Sequence, residues 1–315
     1  MKKTFFSNGK LLLTGEYLVL DGATALALPT RYGQYLDVSH SNKSGIHWKS
    51  FDADESVWFE AEIPFNSILE NYQEYENPEI NTLVKILHEA WLVNPEVLEN
   101  EKGFSITTRL TFPRNWGLGT SSTLINNIAE WFEIDAFDLL AKSFGGSGYD
   151  IACAQNVTPI LYHLDNGKPV IKRAAAFNPH FADNLYFVYL NRKQNSRQAI
   201  DAYRMRRNRI APVRTKIDAL TQKILRTASL NDFCIAIEEH ESIMSEVLGL
   251  PTIKTLAFPD FNGTIKSLGA WGGDFILAAT TEDPKEYFKA KGFEVIIPYK
   301  EMILDVGIDF SQGDF

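Results

Sequence analysis

The groups of this 315-residue chain best placed to do chemistry are a lysine, an aspartate and a run of three hydroxyls. Thr120, Ser121 and Ser122 close the segment PRNWGLGTSS at residues 113–122, directly behind Gly117 and Gly119. Glycines let a backbone come close to a ligand and adopt positive φ. The first amides of a helix have no intrahelical partner, and the helix dipole favours negative charge there. Such a loop suits a phosphate, with hydroxyls on hand for a phosphate-bound magnesium ion; the same hydroxyls equally suit the cap of a purely structural helix. Asp150 sits in GGSGYDIACA at 145–154, a Gly/Ser-rich turn ahead of an apolar run. A carboxylate there can take a proton from a hydroxyl, form the turn or cap a helix. Lys10 starts an apolar strand pattern, either as a solvated surface cation or as an ammonium that keeps a nearby carboxylate ionised.

The elements around these residues are legible from periodicity. Leu11–Leu13 and Ala25–Leu28 read as strands separated by a turn at Asp21–Gly22. Residues 34–62 alternate as further strands, and Leu83, Ile86, Leu87, Ala90 and Trp91 predict a helix over 80–92. Strand 104–110, FSITTRL, leads into the glycine loop. Leu124, Ile125, Ile128, Ala129 and Phe132 follow at helical spacing, making a strand–loop–helix unit. Beyond residue 175 the pattern gives a strand at 184–190, helices across 195–228 and 232–248, strands near 275–279 and 293–297, and a helix at 284–291 between them. His240 falls on the apolar face of its helix, where a hydrogen-bonded boundary residue is expected.

No Walker A sequence is present, but PRNWGLGTSS resembles the second motif of the GHMP kinases, a Pro-x-x-x-Gly-Leu-Gly-Ser-Ser pattern. Pro113, Gly117, Leu118, Gly119, Ser121 and Ser122 match it, and Thr120 replaces a serine. GKLLLTGEYLVLDGATALALP at 9–29 is similar to the first motif of that family, and KSLGAWGGDFILA at 266–278 to the third. GGSGYDIACA resembles the segment that carries the catalytic aspartate of mevalonate and phosphomevalonate kinases. The resemblance implies an α+β, two-domain fold. Residues 1–174 would form an N-terminal ATP-binding α/β domain, ribosomal protein S5 domain 2-like, and 175–315 a ferredoxin-like C-terminal domain. It implies ATP and Mg2+, with Pro113 and Gly117 through Ser122 around the phosphates, Asp150 as base and Lys10 beside it. The metal ligands it implies are a hydroxyl, Ser122 or Ser121, and an acidic residue between the second motif and Asp150, where Glu130, Glu133, Asp135 and Asp138 lie and Glu130 is the one named here. Glu16 and Tyr17, Ser147 and Gly148, and Gly269, Gly272 and Gly273 are expected at the substrate, Glu16 also organising Lys10. Trp271 stands where the family has glycine.

Eleven basic residues lie between Arg192 and Arg226 against Asp201 and Asp218 alone, a net +9 that leaves −18 to the rest of the chain. Most suit a solvated helix face. Arg192, Lys193, Ser196 and Arg197, at the start, suit an acceptor's carboxylate or phosphate. With Gly15-Glu16-Tyr17 and Gly272-Gly273-Asp274, they favour phosphomevalonate or mevalonate over a sugar; a catalytically silent nucleotide-binding regulator is the further alternative. The overall charge of −9 argues against nucleic acid and anionic membranes as partners. Two cysteines without a CxxC pair and no run of 18 apolar residues fit a cytoplasmic protein, monomer or homodimer.

Overall fold

The structure is a computed structural model describing residues 2–99, 101–174, 177, 179–192, 203, 210–269 and 271–304. It divides into two compact units. The first is Met1–Gly9, Tyr32–Arg114 and Leu118–Gln155; the second is Lys10–Arg31, Asn115–Gly117 and Asn156–Phe315. Each is discontinuous in sequence, so no single cut near residue 174 separates them. Two long strands, β1 (Lys2–Leu12) and β2 (Ala25–His40), begin in one unit and end in the other.

In the first unit, β3 (Gly45–Phe51), β4 (Val57–Ile63) and β5 (Gly103–Leu110) join the C-terminal half of β2 in the order β4-β3-β5-β2. β3 and β5 are parallel, and the β4–β3 and β5–β2 pairs are antiparallel. The parallel pair needs a crossover, supplied by α1 (Phe65–Leu69) and α2 (Pro78–Val93). α2 starts where Pro78 occupies the first helical position and the Asn77 side chain accepts the Glu79 amide. After β5 come α3 (Thr120–Phe132), α4 (Ala136–Ser143) and α5 (Tyr149–Ala154). Their apolar faces close a core that includes Leu36, Ile46, Trp48, Leu87, Ile106, Ile128 and Phe132. Each such side chain contributes about 1.5–3 kcal/mol by leaving water. The helix expected at 80–92 and the strand expected at 104–110 both lie within these elements.

In the second unit, the N-terminal half of β2 pairs with β6 (Ile160–Asp165), and β6 with β7 (Lys168–Arg173). A separate antiparallel sheet follows, built from β8 (Leu185–Tyr189), β9 (Thr264–Leu268), β10 (Phe275–Ala279) and β11 (Ile296–Pro298) in the order β11-β8-β10-β9. Between β8 and β9 run α6 (Ile210–Arg226), α7 (Leu230–Leu248) and α8 (Ile253–Ala257). α9 (Lys285–Ala290) lies between β10 and β11, and α10 (Tyr299–Met302) follows β11. Strand, helices, two strands, helix, strand, with the first and fourth strands adjacent, is the ferredoxin-like arrangement. Its core gathers Val188, Phe258, Ile265, Ile276 and Phe288. α6 covers the second half of the helical stretch expected at 195–228; of residues 195–209 only Tyr203 is described.

Candidate active site

The glycine loop ends in the first unit at the start of α3. Gly119 occupies the N-cap position with φ +98°, a left-handed conformation that glycine adopts without strain, and no side chain caps the helix. Ser122 Oγ turns back to the Gly119 carbonyl at 2.9 Å, so the three hydroxyls leave the opening amides uncovered. A neutral network holds this helix. Asn126 Nδ2 donates to Ser7 Oγ (2.9 Å), Ser7 Oγ to Asn127 Oδ1 (2.8 Å), Asn127 Nδ2 to the Gln34 carbonyl (2.9 Å), and Thr123 Oγ1 to Gln34 Oε1 (2.8 Å). Gln155, at the end of α5, donates to Asn126 Oδ1 at 2.9 Å, so α3 and the helix carrying Asp150 share one framework.

A cavity of about 360 Å³ opens beside Thr120, Ser121 and Leu124 of α3. Trp48, Trp58, Phe59, Leu83, Ile86 and Phe144 wall it, while Ser50, Thr108 and Gln34 add polar atoms. Ser50 Oγ accepts from both Trp48 Nε1 (3.0 Å) and Thr108 Oγ1 (2.8 Å). A largely apolar slot with a few fixed hydroxyls, next to uncapped helical amides, has the character of a small-ligand site. The sequence reading missed it, because its walls come from β3, β4, β5, α2 and α3.

The other residues expected of this unit lie on the loop before α3, on α3 itself and at the start of α5. Leu118 is buried, and Pro113 half-buried. Asp150 is the second residue of α5, half-buried; Gly148 caps that helix with φ +87° and Ser147 is buried before it. Glu130 does not join Ser122. The two are eight residues apart on α3, about 12 Å along its axis, whereas magnesium–oxygen bonds are about 2.1 Å. Glu130 instead accepts from Asn126 Nδ2 at 2.8 Å. No grouping of three or more His, Cys, Asp or Glu suited to a metal exists among the described residues. Ser122, its hydrogen committed to Gly119, still offers oxygen lone pairs, which fits a magnesium ion whose other ligands are phosphate and water.

The rest of the loop belongs to the second unit. Lys10 Nζ donates to the Gly117 carbonyl at 3.1 Å. Gly117 has φ +70°, and a Cβ there would fall 1.9 Å from Asp274 Oδ2 of the third motif. Glycine is thus required twice over. Tyr17 carries a positive φ of 59° unusual for a bulky residue. Its hydroxyl accepts the Trp271 amide at 2.6 Å, and burial pushes that hydroxyl up to about 12. Trp271 aims its indole at the Pro251 carbonyl (3.1 Å), so the ring leans on the turn between α7 and α8. Gly269 and Gly272 have positive φ, and Gly273 follows them. Arg192 Nη2 donates to the Gly272 carbonyl at 2.5 Å. Lys193, Ser196 and Arg197 lie outside the described residues.

Glu16 is a correction. Expected near Lys10 and substrate, it is only 4% exposed, with Oε1 2.5 Å from Lys266 Nζ. Lys266 also reaches Glu241 Oε1 at 3.2 Å and the Ser267 carbonyl at 3.0 Å. The signal was a lysine inside TIKSL, a strand buried at every position.

No protein-family model matches the sequence, and none of the curated proteins does. Solved structures do. The mevalonate kinase of Methanococcus jannaschii is 15% identical, with a TM-score of 0.69 over 93% of this chain and 95% of that one. The Streptococcus pneumoniae phosphomevalonate kinase, solved with phosphomevalonate and AMPPNP, is 16% identical, TM-score 0.68, over 93% and 98%. The Lactococcus lactis galactokinase solved with galactose is 13% identical, TM-score 0.64, over 92% and 88%. With both sheets and the glycine loop in order, the chain has the fold of the GHMP kinases.

Proposed function

We propose that the protein is a GHMP-type kinase that transfers the γ-phosphoryl group of ATP to a hydroxyl or phosphate of a small acid, phosphomevalonate or mevalonate. The observation that carries this reading is the uncapped start of α3 beside the aromatic-walled cavity, on the segment that resembles the second GHMP motif. The amides of Thr120, Ser121 and Ser122 suit phosphate oxygens, and the cavity suits a nucleobase between apolar walls. Asp150 takes the proton of the acceptor hydroxyl as its oxygen bonds to the γ-phosphorus; the bond from that phosphorus to the bridging oxygen breaks, and ADP leaves. Lys10 holds the Gly117 carbonyl of the glycine loop. Ser122 would hold in part a magnesium ion arriving with the nucleotide, which would supply neutralisation of phosphate charge. Gly15-Glu16-Tyr17, Gly272-Gly273-Asp274 and the basic stretch from Arg192 support an acid acceptor over a neutral sugar.

ADP release from Mg-ATP tests this with mevalonate, phosphomevalonate, galactose, N-acetylhexosamines and homoserine in turn. Turnover with either mevalonate compound is expected, and turnover with a sugar alone would replace the acceptor. Asp150→Asn is expected to lower turnover by about 10²- to 10⁴-fold with ATP binding nearly intact.

A further inference from the structure

Four ionisable side chains of the second unit meet in its interior, and the mechanism above uses none of them. Lys266 and His240 are 0% exposed, Glu241 3% and Glu16 4%. They come from three places in the chain: Glu16 from the turn after β1, Glu241 and His240 from α7, and Lys266 from β9. The ammonium spends its three hydrogens on Glu16, Glu241 and the Ser267 carbonyl, so it is charged. Two ionised carboxylates around one ammonium would leave a net negative charge in a fully buried site, a state that burial strongly disfavours.

The geometry identifies where that charge is removed. His240 Nε2 accepts the Gly15 amide at 3.3 Å, so this nitrogen presents a lone pair. Glu16 Oε2 lies 3.4 Å from the same nitrogen and has no hydrogen-bond partner among the described residues. An ionised oxygen facing a lone pair is repelled; a carboxylic acid there is not. Burial agrees, pushing the Glu16 carboxyl up to about 7 despite Lys266, and holding His240 neutral. The ionisable groups that face Glu16 are Lys266 from β9, Glu241 and His240 from α7, and Tyr17 on its own turn.

The same residues sit under both glycine turns of the second unit. Glu16 is flanked by Gly15 and Tyr17, and Tyr17 receives the Trp271 amide. Lys266 precedes Gly269 by three residues on the strand that feeds the third motif. We propose that Glu16, Lys266, Glu241 and His240 are positioning residues for these two turns, and that one proton on Glu16 decides how firmly Tyr17 and Trp271 are held. In the protonated state the cluster is neutral and the turns are clamped; loss of the proton places a second negative charge in the interior and loosens them. That the turns shape an acceptor site rests on the kinase reading; the clamp itself does not.

The test needs no substrate. The ¹H–¹⁵N signal of the Trp271 indole, assigned through Trp271→Phe, is followed in the full-length protein from pH 5.5 to 8.5. A shift with a midpoint near 7 is expected, absent in Glu16→Gln and retained with a displaced midpoint in Glu241→Gln. An indole that does not titrate, or titrates unchanged in Glu16→Gln, overturns the proposal, whichever acceptor the enzyme uses. If turnover is found, the KM for acceptor should rise several-fold across this range in the natural protein while the KM for ATP stays level, and Glu16→Gln should remove the rise. An acceptor KM with the same pH profile in both proteins would also overturn it.

Discussion

Each unit buries a polar network, and the two are built on opposite principles. Around α3 the interior groups are neutral: Ser7, Gln34, Thr123, Asn126 and Asn127 pair donor with acceptor, no buried polar side-chain atom among them lacks a partner, and the Glu130 carboxylate that Asn126 also reaches is exposed. Around Lys266 the groups are ionisable, and Glu16 Oε2, Glu241 Oε2 and His240 Nδ1 are buried without a hydrogen bond among the described residues. A satisfied neutral network fixes one geometry at any pH. An ionisable one fixes geometry only in the protonation state that balances its charge. The helix behind the glycine loop is thus held rigidly, whereas the turns bearing Tyr17 and Trp271 are held conditionally.

Removing the cation should widen that contrast most. Lys266→Met leaves two carboxyls in the interior without a partner, and chemical denaturation should show a loss of about 3–5 kcal/mol. The neutral network should suffer less: Asn127→Leu strands the Ser7 hydroxyl and the Gln34 carbonyl, for about 1–3 kcal/mol at every pH. A pH-dependent loss in Asn127→Leu would break the comparison. Gly117→Ala combines left-handed strain with a clash against Asp274; a loss of about 1–2 kcal/mol is expected, with weakened nucleotide binding by calorimetry.

The pH dependence of Glu16 gives a subtler difference. Its carboxyl lies above its unfolded value, so the folded protein keeps a proton that the unfolded chain releases between about 4.5 and about 7. Its contribution to stability is therefore present at low pH and lost as pH rises through this window. Glu241, also raised by burial, acts in the same direction; His240, lowered, opposes both. Glu16→Gln isolates the first term: its stability relative to the natural protein should increase from pH 5 to pH 8 in thermal melts. A constant difference would refute the assignment of the proton to Glu16. Smallest of all, Trp271→Phe removes one indole bond to Pro251, a loss of about 1 kcal/mol.

How much was legible follows from where the information lies. Periodicity located α2, β5, α3 and α7 because each buries one face, and a buried face must repeat with the period of its element. It did not locate α5, whose six residues are buried from Ile151 through Ala154 and so show no alternation. The glycine loop was legible because backbone conformation is a local property, but the reason for Gly117, the carboxylate of Asp274 157 residues later, was not. Glu130 misled because a motif says nothing of distance, and a helix carries a residue away at about 1.5 Å per position. Glu16 misled because its partner lies 250 residues away.

The sequence by itself determined most of the elements, the glycine loop and the order of the three motifs, all properties of short stretches of chain. The aromatic cavity, the neutral framework behind α3 and the charged cluster beneath Tyr17 were decided by the tertiary structure alone. Burial and pairing depend on which distant segments meet, and no local pattern encodes the cost of a charge until the water around it has been removed.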